Sequence, residues 1–275
     1  MKRHGTTIIL LIVLIAGLSL LLYPSFSDWW NSMHQSRAVA SYVEQVANIE
    51  EEQYAHLWDA AWTYNQSLVN RPNTYKLNET QKAAYDQILD IGGLGIMGYI
   101  EIPSIGVTLP IYHGTDEAVL QVAVGHLEWT SLPVGGESSH CVVSGHRGLP
   151  SARLFTDLDK LVIGDVFIFR VLDEVLSYEV DQILIVEPHE TDSLHIQPHE
   201  DLCTLVTCTP YGVNSHRLLV RGHRVENREE ARTVHVTADA MQIEPTIVAP
   251  ILAIPMLLVL LIILLVDPSN RRSAK

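Results

Sequence analysis

Two uncharged apolar runs, one near each end, constrain this chain more than any other feature. From Thr6 to Tyr23 no residue carries a charge, and Ile, Leu and Val dominate. As an α-helix rising about 1.5 Å per residue, that run is roughly 27 Å long and nearly crosses the hydrocarbon core of a bilayer. Lys2, Arg3 and His4 precede it, while Asp28 follows it with Trp29 and Trp30 at the expected interface. The second run, Pro245 to Val266, is also uncharged, and Arg271, Arg272 and Lys275 follow it. Pro250 and Pro255 lie in its first half, which a membrane helix tolerates better than a soluble one. Positive residues therefore flank the outer end of both runs. The positive-inside rule then places both termini in the cytoplasm and residues 28–244 outside. A cleaved signal peptide is the rival for the first run, with Ser25-Phe26-Ser27 as a passable small-x-small site. The run is long for a signal peptide and favours an uncleaved anchor.

Between the runs the chain reads as a soluble protein. Its 275 residues allow one good-sized domain plus accessories. The formal net charge of −14 argues against nucleic acid as a partner, because phosphate binding needs clustered Lys and Arg. Residues 28–90 read as helix: Val39, Tyr42, Val43, Val46 and Ile49 repeat at three- and four-residue steps, beside the solvated Glu50-Glu51-Glu52. Arg71-Pro72-Asn73-Thr74 breaks that pattern as a loop, and a short helix from about Glu79 to Leu89 ends at Gly92-Gly93. The sequons at Asn65 and Asn78 are short enough to occur by chance.

After Gly98 the pattern changes to short β runs: Tyr99–Ile102, Cys141–Val143, Val166–Leu172, Ser177–Val186, Thr204–Cys208 and Leu218–Val220. Gly135-Gly136, Gly148-Leu149-Pro150 and Pro210-Tyr211-Gly212 punctuate them, which predicts a barrel or sandwich.

The three cysteines, Cys141, Cys203 and Cys208, are too few for a disulfide scaffold and lack the CxxC spacing of a zinc site. Outside the cell Cys141 and Cys203 could pair and leave Cys208 free; the alternative is two buried thiols. Cys208 ends an apolar strand, Thr204-Leu205-Val206-Thr207, and meets a sharp turn at once, where a side chain can leave the core. A thiol there is a nucleophile only as thiolate and needs a cationic neighbour. His146, in Ser144-Gly145-His146-Arg147-Gly148, could protonate a leaving amine, and Arg217, opening the next strand, could bind a carbonyl oxygen as it gains charge. Each has a duller alternative: an inert strand cysteine, a satisfied histidine, or Arg221 or Arg224 in place of Arg217. His189, His195 and His199 lie in an irregular stretch without ligand spacing, so no metal site is expected.

The run Thr204-Leu-Val-Thr-Cys208-Thr-Pro-Tyr-Gly-Val-Asn-Ser-His-Arg217 resembles the sortase signature TLxTC and the strand bearing that family's essential arginine. Gly125-His126-Leu127 and Ser144-Gly145-His146-Arg147-Gly148-Leu149-Pro150 resemble the segments leading to its essential histidine. TLVTCTPYG, Leu154-Phe-Thr-Asp-Leu158 and the C-terminal apolar run are similar to class C sortases, the pilin polymerases of Gram-positive bacteria.

By that resemblance Cys208, His146 and Arg217 take the triad positions, and His126 is a neighbour. The implied fold is mainly β, an eight-stranded barrel preceded by helices and held between two membrane spans. It implies a tip and anchor over 1–27, a helical region over 28–91, a catalytic barrel over 92–226, a linker over 227–244, and a membrane helix with basic tail over 245–275. The implied reaction cleaves an LPxTG-like sorting signal through a thioacyl enzyme and joins it to a lysine amine of a pilin subunit, with no cofactor. Anchoring of proteins to peptidoglycan is the enzymatic alternative, and a tethered assembly scaffold the non-enzymatic one. Class C sortases usually carry an Asp-Pro-aromatic lid over the cysteine. The possible lid loop here, 70–80, offers Asn73, Thr74 and Tyr75, which keep only the aromatic.

Overall fold

The computed structural model describes residues 2–69 and 76–227. Helix α1 (Lys2–Ala47) runs without interruption through Pro24, so the expected anchor and the helix after it are one element. Along its first half Ile9, Leu10, Ile12, Val13, Ile15, Leu20 and Leu21 have no protein cover, and the helix is long and apolar enough to cross a membrane. The second apolar run, Pro245–Val266, lies outside the described residues.

From Ser27 onward the described chain is one compact unit. Here α1 turns amphipathic, as its spacing predicted: Tyr42 is buried with Ile96 and Tyr99, and Ala38, Val39, Val43 and Val46 pack around them. The Tyr42 hydroxyl donates to Met97 O at 3.1 Å and accepts from Leu172 N at 2.7 Å, which seats the helix on the sheet. Helix α2 (Glu51–Val69) buries Ala61 and Asn65. The Asn65 amide bonds both backbone groups of Leu132, so this sequon asparagine is structural. Helix α3 (Glu79–Tyr85) starts with a capping box in which Asn78 and Gln81 bond each other's backbone.

The rest is a closed barrel of eight strands: β1 (Ile96–Ile102), β2 (Val107–His113), β3 (Val124–His126), β4 (Ser139–Ser144), β5 (Val166–Val171), β6 (Glu174–Val186), β7 (Asp201–Thr209) and β8 (His216–Val225). Their order around the barrel is β1-β2-β3-β4-β7-β8-β6-β5, which leaves no free edge. Two neighbouring pairs, β2·β3 and β4·β7, are parallel, and the others antiparallel. Phe155, Phe167, Phe169, Tyr178, Ile100 and Ile111 fill the interior.

All six predicted β runs are strands. β2 and β3 were not singled out, for physical reasons. β2 carries Pro110 inside it, tolerated because pairing with β3 begins only at Ile111. β3 is three residues long and includes a glycine, too short for any alternation to register.

His140, on β4, is buried: its Nδ1 faces His195 O at 2.9 Å and its Nε2 faces the Thr204 hydroxyl at 2.7 Å. A neutral ring that donates through Nδ1 and accepts at Nε2 satisfies both contacts. Burial, with Arg221 nearby, pushes its pKa from 6.5 down to about 4. The unfolded chain therefore takes up a proton that the folded one resists. This group leaves stability unchanged above pH 6.5, and destabilises progressively as pH falls toward about 4. Urea denaturation across that window should lose on the order of 3 kcal/mol from this residue, and His140→Gln should flatten the slope.

Candidate active site

Cys208 is the half-buried exception in a strand whose neighbours Thr204 to Val206, Thr207 and Thr209 are buried. It is the last residue but one of β7, so its thiol stands where the barrel wall gives way to the turn into β8. The antiparallel register sets Cys208 opposite Arg217 and Thr209 opposite His216. Arg217 Nη1 donates to the carbonyls of Asn214 at 3.2 Å and His216 at 3.1 Å. Among the described residues no carboxylate pairs with it. Its competitors are committed elsewhere: Arg221 makes two bonds to Asp181, at 2.9 and 3.0 Å, and Arg224 lies over the Tyr178 ring.

His146 arrives from the other flank of β7. The parallel pairing of β4 with β7 keeps a constant offset, from Ser139 facing Asp201 to Ser144 facing Val206. Gly145 N continues it by donating to Val206 O at 3.1 Å, and the Thr207 hydroxyl donates to Gly145 O at 2.8 Å. His146 follows one residue further, past the end of β4, on the side of β7 opposite to β8.

The local sequence suits this exit. A Cβ on Gly145 would come within 2.8 Å of the Phe155 ring, so only glycine lets the chain turn there. Phe155 N donates to His146 O at 3.1 Å and holds the histidine's backbone. The His146 side chain is 26 % exposed, yet its Nε2 is buried and lacks a hydrogen-bond partner. The nearest acid is Glu117, on the short helix α4 (Glu117–Leu120), with Oε2 at 3.7 Å. Nothing in the sequence pointed to Glu117, because the β2–β3 connection brings it close only after folding.

His126, the other histidine of the motif region, is wholly buried. Its Nδ1 meets the Tyr85 hydroxyl at 2.8 Å and its Nε2 meets Ser131 O at 2.8 Å. Both nitrogens are occupied, so the ring is a strut between α3 and the barrel. Cys141 and Cys203 face each other in the β4·β7 register as buried free thiols, with no disulfide. Burial pushes the Cys203 thiol well up, which keeps it neutral. Among the described residues no three His, Cys, Asp or Glu side chains gather as a metal ligand set. The lid residues Asn73, Thr74 and Tyr75 lie outside the described residues.

A model of the sortase domain matches residues 100–225. The chain is 31% identical over 131 residues to sortase D of Bacillus subtilis; the match takes in 46% of this chain and 63% of that protein, a little under two thirds of its length. Sortase C1 of Streptococcus agalactiae superposes with a TM-score of 0.68 at 48% identity, over 70% of this chain and 100% of that one. Sortase C of Streptococcus pneumoniae superposes with a TM-score of 0.64 at 43% identity, over 70% of this chain and 97% of that one.

The chain belongs to the sortase family, class C. That family is one of cysteine transpeptidases. The two motif histidines should separate cleanly in stability measurements. His126→Leu removes the ring partner of the Tyr85 hydroxyl and of the Ser131 carbonyl, and should cost about 2–4 kcal/mol by urea denaturation. His146→Ala removes a half-exposed ring and should change stability by less than about 1 kcal/mol.

Proposed function

We propose that this sortase polymerises pilins, with Cys208 as nucleophile, His146 as acid and base, and Arg217 as the group that steadies the oxyanion. The observation that carries this reading is at Cys208: a partly exposed thiol with Arg217 opposite it on β8, while His146 follows the end of β4, the strand on the other flank of β7. In the first half-reaction the Cys208 sulfur bonds to the threonine carbonyl carbon of an LPxTG-like signal, and the Thr–Gly C–N bond breaks. His146 takes the thiol proton from Cys208 and gives it to the departing amine. In the second, a lysine amine of the next subunit attacks the thioester, and His146 takes its proton and returns it to the departing sulfur, which regenerates the thiol. Arg217, without a carboxylate partner, is available to the carbonyl oxygen as charge develops on it. No cofactor enters either step.

The pilin substrate is supported by the likeness to class C sortases, among them the Streptococcus pneumoniae enzyme whose structure bears on pilin substrate specificity. We further propose that α1 is the first of two membrane spans, that Pro245–Val266 is the second, and that the catalytic barrel works outside the cell. Charge placement at both runs supports this topology.

The test is incubation of the full-length protein with a sorting-signal peptide and two competing acceptors, a pilin lysine peptide and a peptidoglycan cross-bridge peptide. A hydroxylamine-sensitive adduct should form on Cys208 and pass to the lysine, and Cys208→Ala should form none. Arg217→Ala should slow acylation by about 10²-fold or more, and Arg217→Lys should recover only part, since an ammonium lacks the planar fork. Transfer to the cross-bridge amine alone would make the protein an anchoring sortase, and an adduct on Cys203 would displace the nucleophile.

A further inference from the structure

Past the last paired residues of β4 and β7, two side-chain contacts keep the offset of 62, between Gly145 and Thr207 and between Arg147 and Thr209, and the same count matches His146 with Cys208 between them. The two outer pairs are tied by side chains. The Thr207 hydroxyl donates to Gly145 O at 2.8 Å, and Arg147 Nη1 donates to the Thr209 hydroxyl at 3.4 Å. The middle pair is the proposed base and nucleophile. It is bracketed by one cross-link before it and one after.

The second cross-link has its own support. Arg147 Nη2 pairs with Asp159, the side chain is only 10 % exposed, and the guanidinium lies 6.0 Å from the Tyr211 ring centroid. That ring packs on Gly148, where a Cβ would come within 2.7 Å of it; Gly148 also has φ +75°, a left-handed conformation that favours glycine. Arg147 Nε is buried without a partner. A guanidinium held with one donor unsatisfied is a local penalty that packing alone does not explain.

We infer that Arg147, anchored by Asp159, is a positioning residue that holds His146 in register with Cys208. The segment from Gly145 to Gly148 has left the β4·β7 ladder and carries a glycine at each end, so the backbone bond at His146 comes from Phe155 and not from β7. The planar fork of arginine can reach Thr209 and Asp159 together, which joins the segment after β4 to the end of β7. Displacement of a reacting group by about 1 Å can cost on the order of 10²-fold in rate, so a tie at this point acts directly on the chemistry. Arg147 itself needs no contact with substrate. The inference rests on the reading of Cys208 and His146 as the reacting pair.

A double-mutant cycle that uses no sorting signal tests it. Iodoacetamide alkylation of Cys208 in the full-length protein is followed by mass spectrometry for wild type, His146→Ala, Arg147→Ala and the double variant, with melting curves to confirm that each is folded. If Arg147 positions His146, loss of His146 should change the alkylation rate by at least about fivefold in the wild-type background and by less than about twofold when Arg147 is absent. Arg147→Lys should restore only part of the coupling. Asp159→Asn should weaken it in the same direction, and it stands in for Arg147→Ala should that variant not fold. An effect of His146→Ala that is equal in both backgrounds overturns the positioning role and leaves the proposed function intact. No effect of His146→Ala in the wild-type background overturns both, because there is then no pair to position.

Discussion

The parallel pairing of β4 with β7 is the interaction on which the site depends. Parallel neighbours cannot be joined by a hairpin, so residues far apart in sequence are set side by side with a fixed offset. That offset holds from Ser139 and Asp201 to Ser144 and Val206, two residues short of His146 and Cys208. The antiparallel β7·β8 pair then places Arg217 opposite the same cysteine through a turn of a few residues. One central strand, β7, therefore reads a long-range register on one side and a local one on the other. A one-residue slip on either side would turn a reacting side chain to the wrong face, and burial of Leu205 and Val220 opposes such a slip.

The histidines show how the same side chain is given different tasks by its surroundings. His126 and His140 are buried with both ring nitrogens in contact with protein groups, and burial drives His140 toward the neutral form. They act as rigid polar struts in walls where a charge would be expensive. His146 differs: it is partly exposed, and its buried Nε2 has only the distant carboxylate of Glu117 on that side. Spacing along the chain cannot reveal this division, since all three lie in short β-rich segments of similar composition.

Much of the architecture was legible because it rests on patterns of local origin. The spacing of Val39, Tyr42, Val43 and Val46 marks the face of α1 that packs on the barrel, and the β-branched runs around Phe167, Tyr178 and Leu205 are strands. Cys208 and His146 were legible as strand-end residues next to glycine-rich turns. What stayed hidden depends on closure of the barrel. β2 and β3 owe their strand geometry to partners rather than to propensity, as Pro110 and the three-residue β3 show. The uncoupling of Arg221 from the site depends on Asp181 across the sheet, and the nearness of Glu117 depends on the fold of the β2–β3 connection. Continuity of α1 through Pro24 was hidden for a related reason, because the change from uncovered apolar to protein-facing surface looks in sequence like a change of element.

Unsatisfied polar atoms give one more view of how the fold is divided. Among the described residues three buried side-chain atoms lack a hydrogen-bond partner, and two of them, His146 Nε2 and Arg147 Nε, belong to consecutive residues at the site. The third is Ser177 Oγ on β6, while Asn65 is satisfied by Leu132 and Asp201 by Gly136 and Tyr178. A native core leaves such atoms unpaired only rarely, and the exceptions concentrate where the chain must hold a group ready for a changing partner. The closed barrel makes this concentration affordable: with no free edge and a dense aromatic interior, the rest of the wall can absorb a local penalty at one end. At the strand ends the ladder stops and side chains replace backbone bonds, so polar groups there can be both fixed and unfilled.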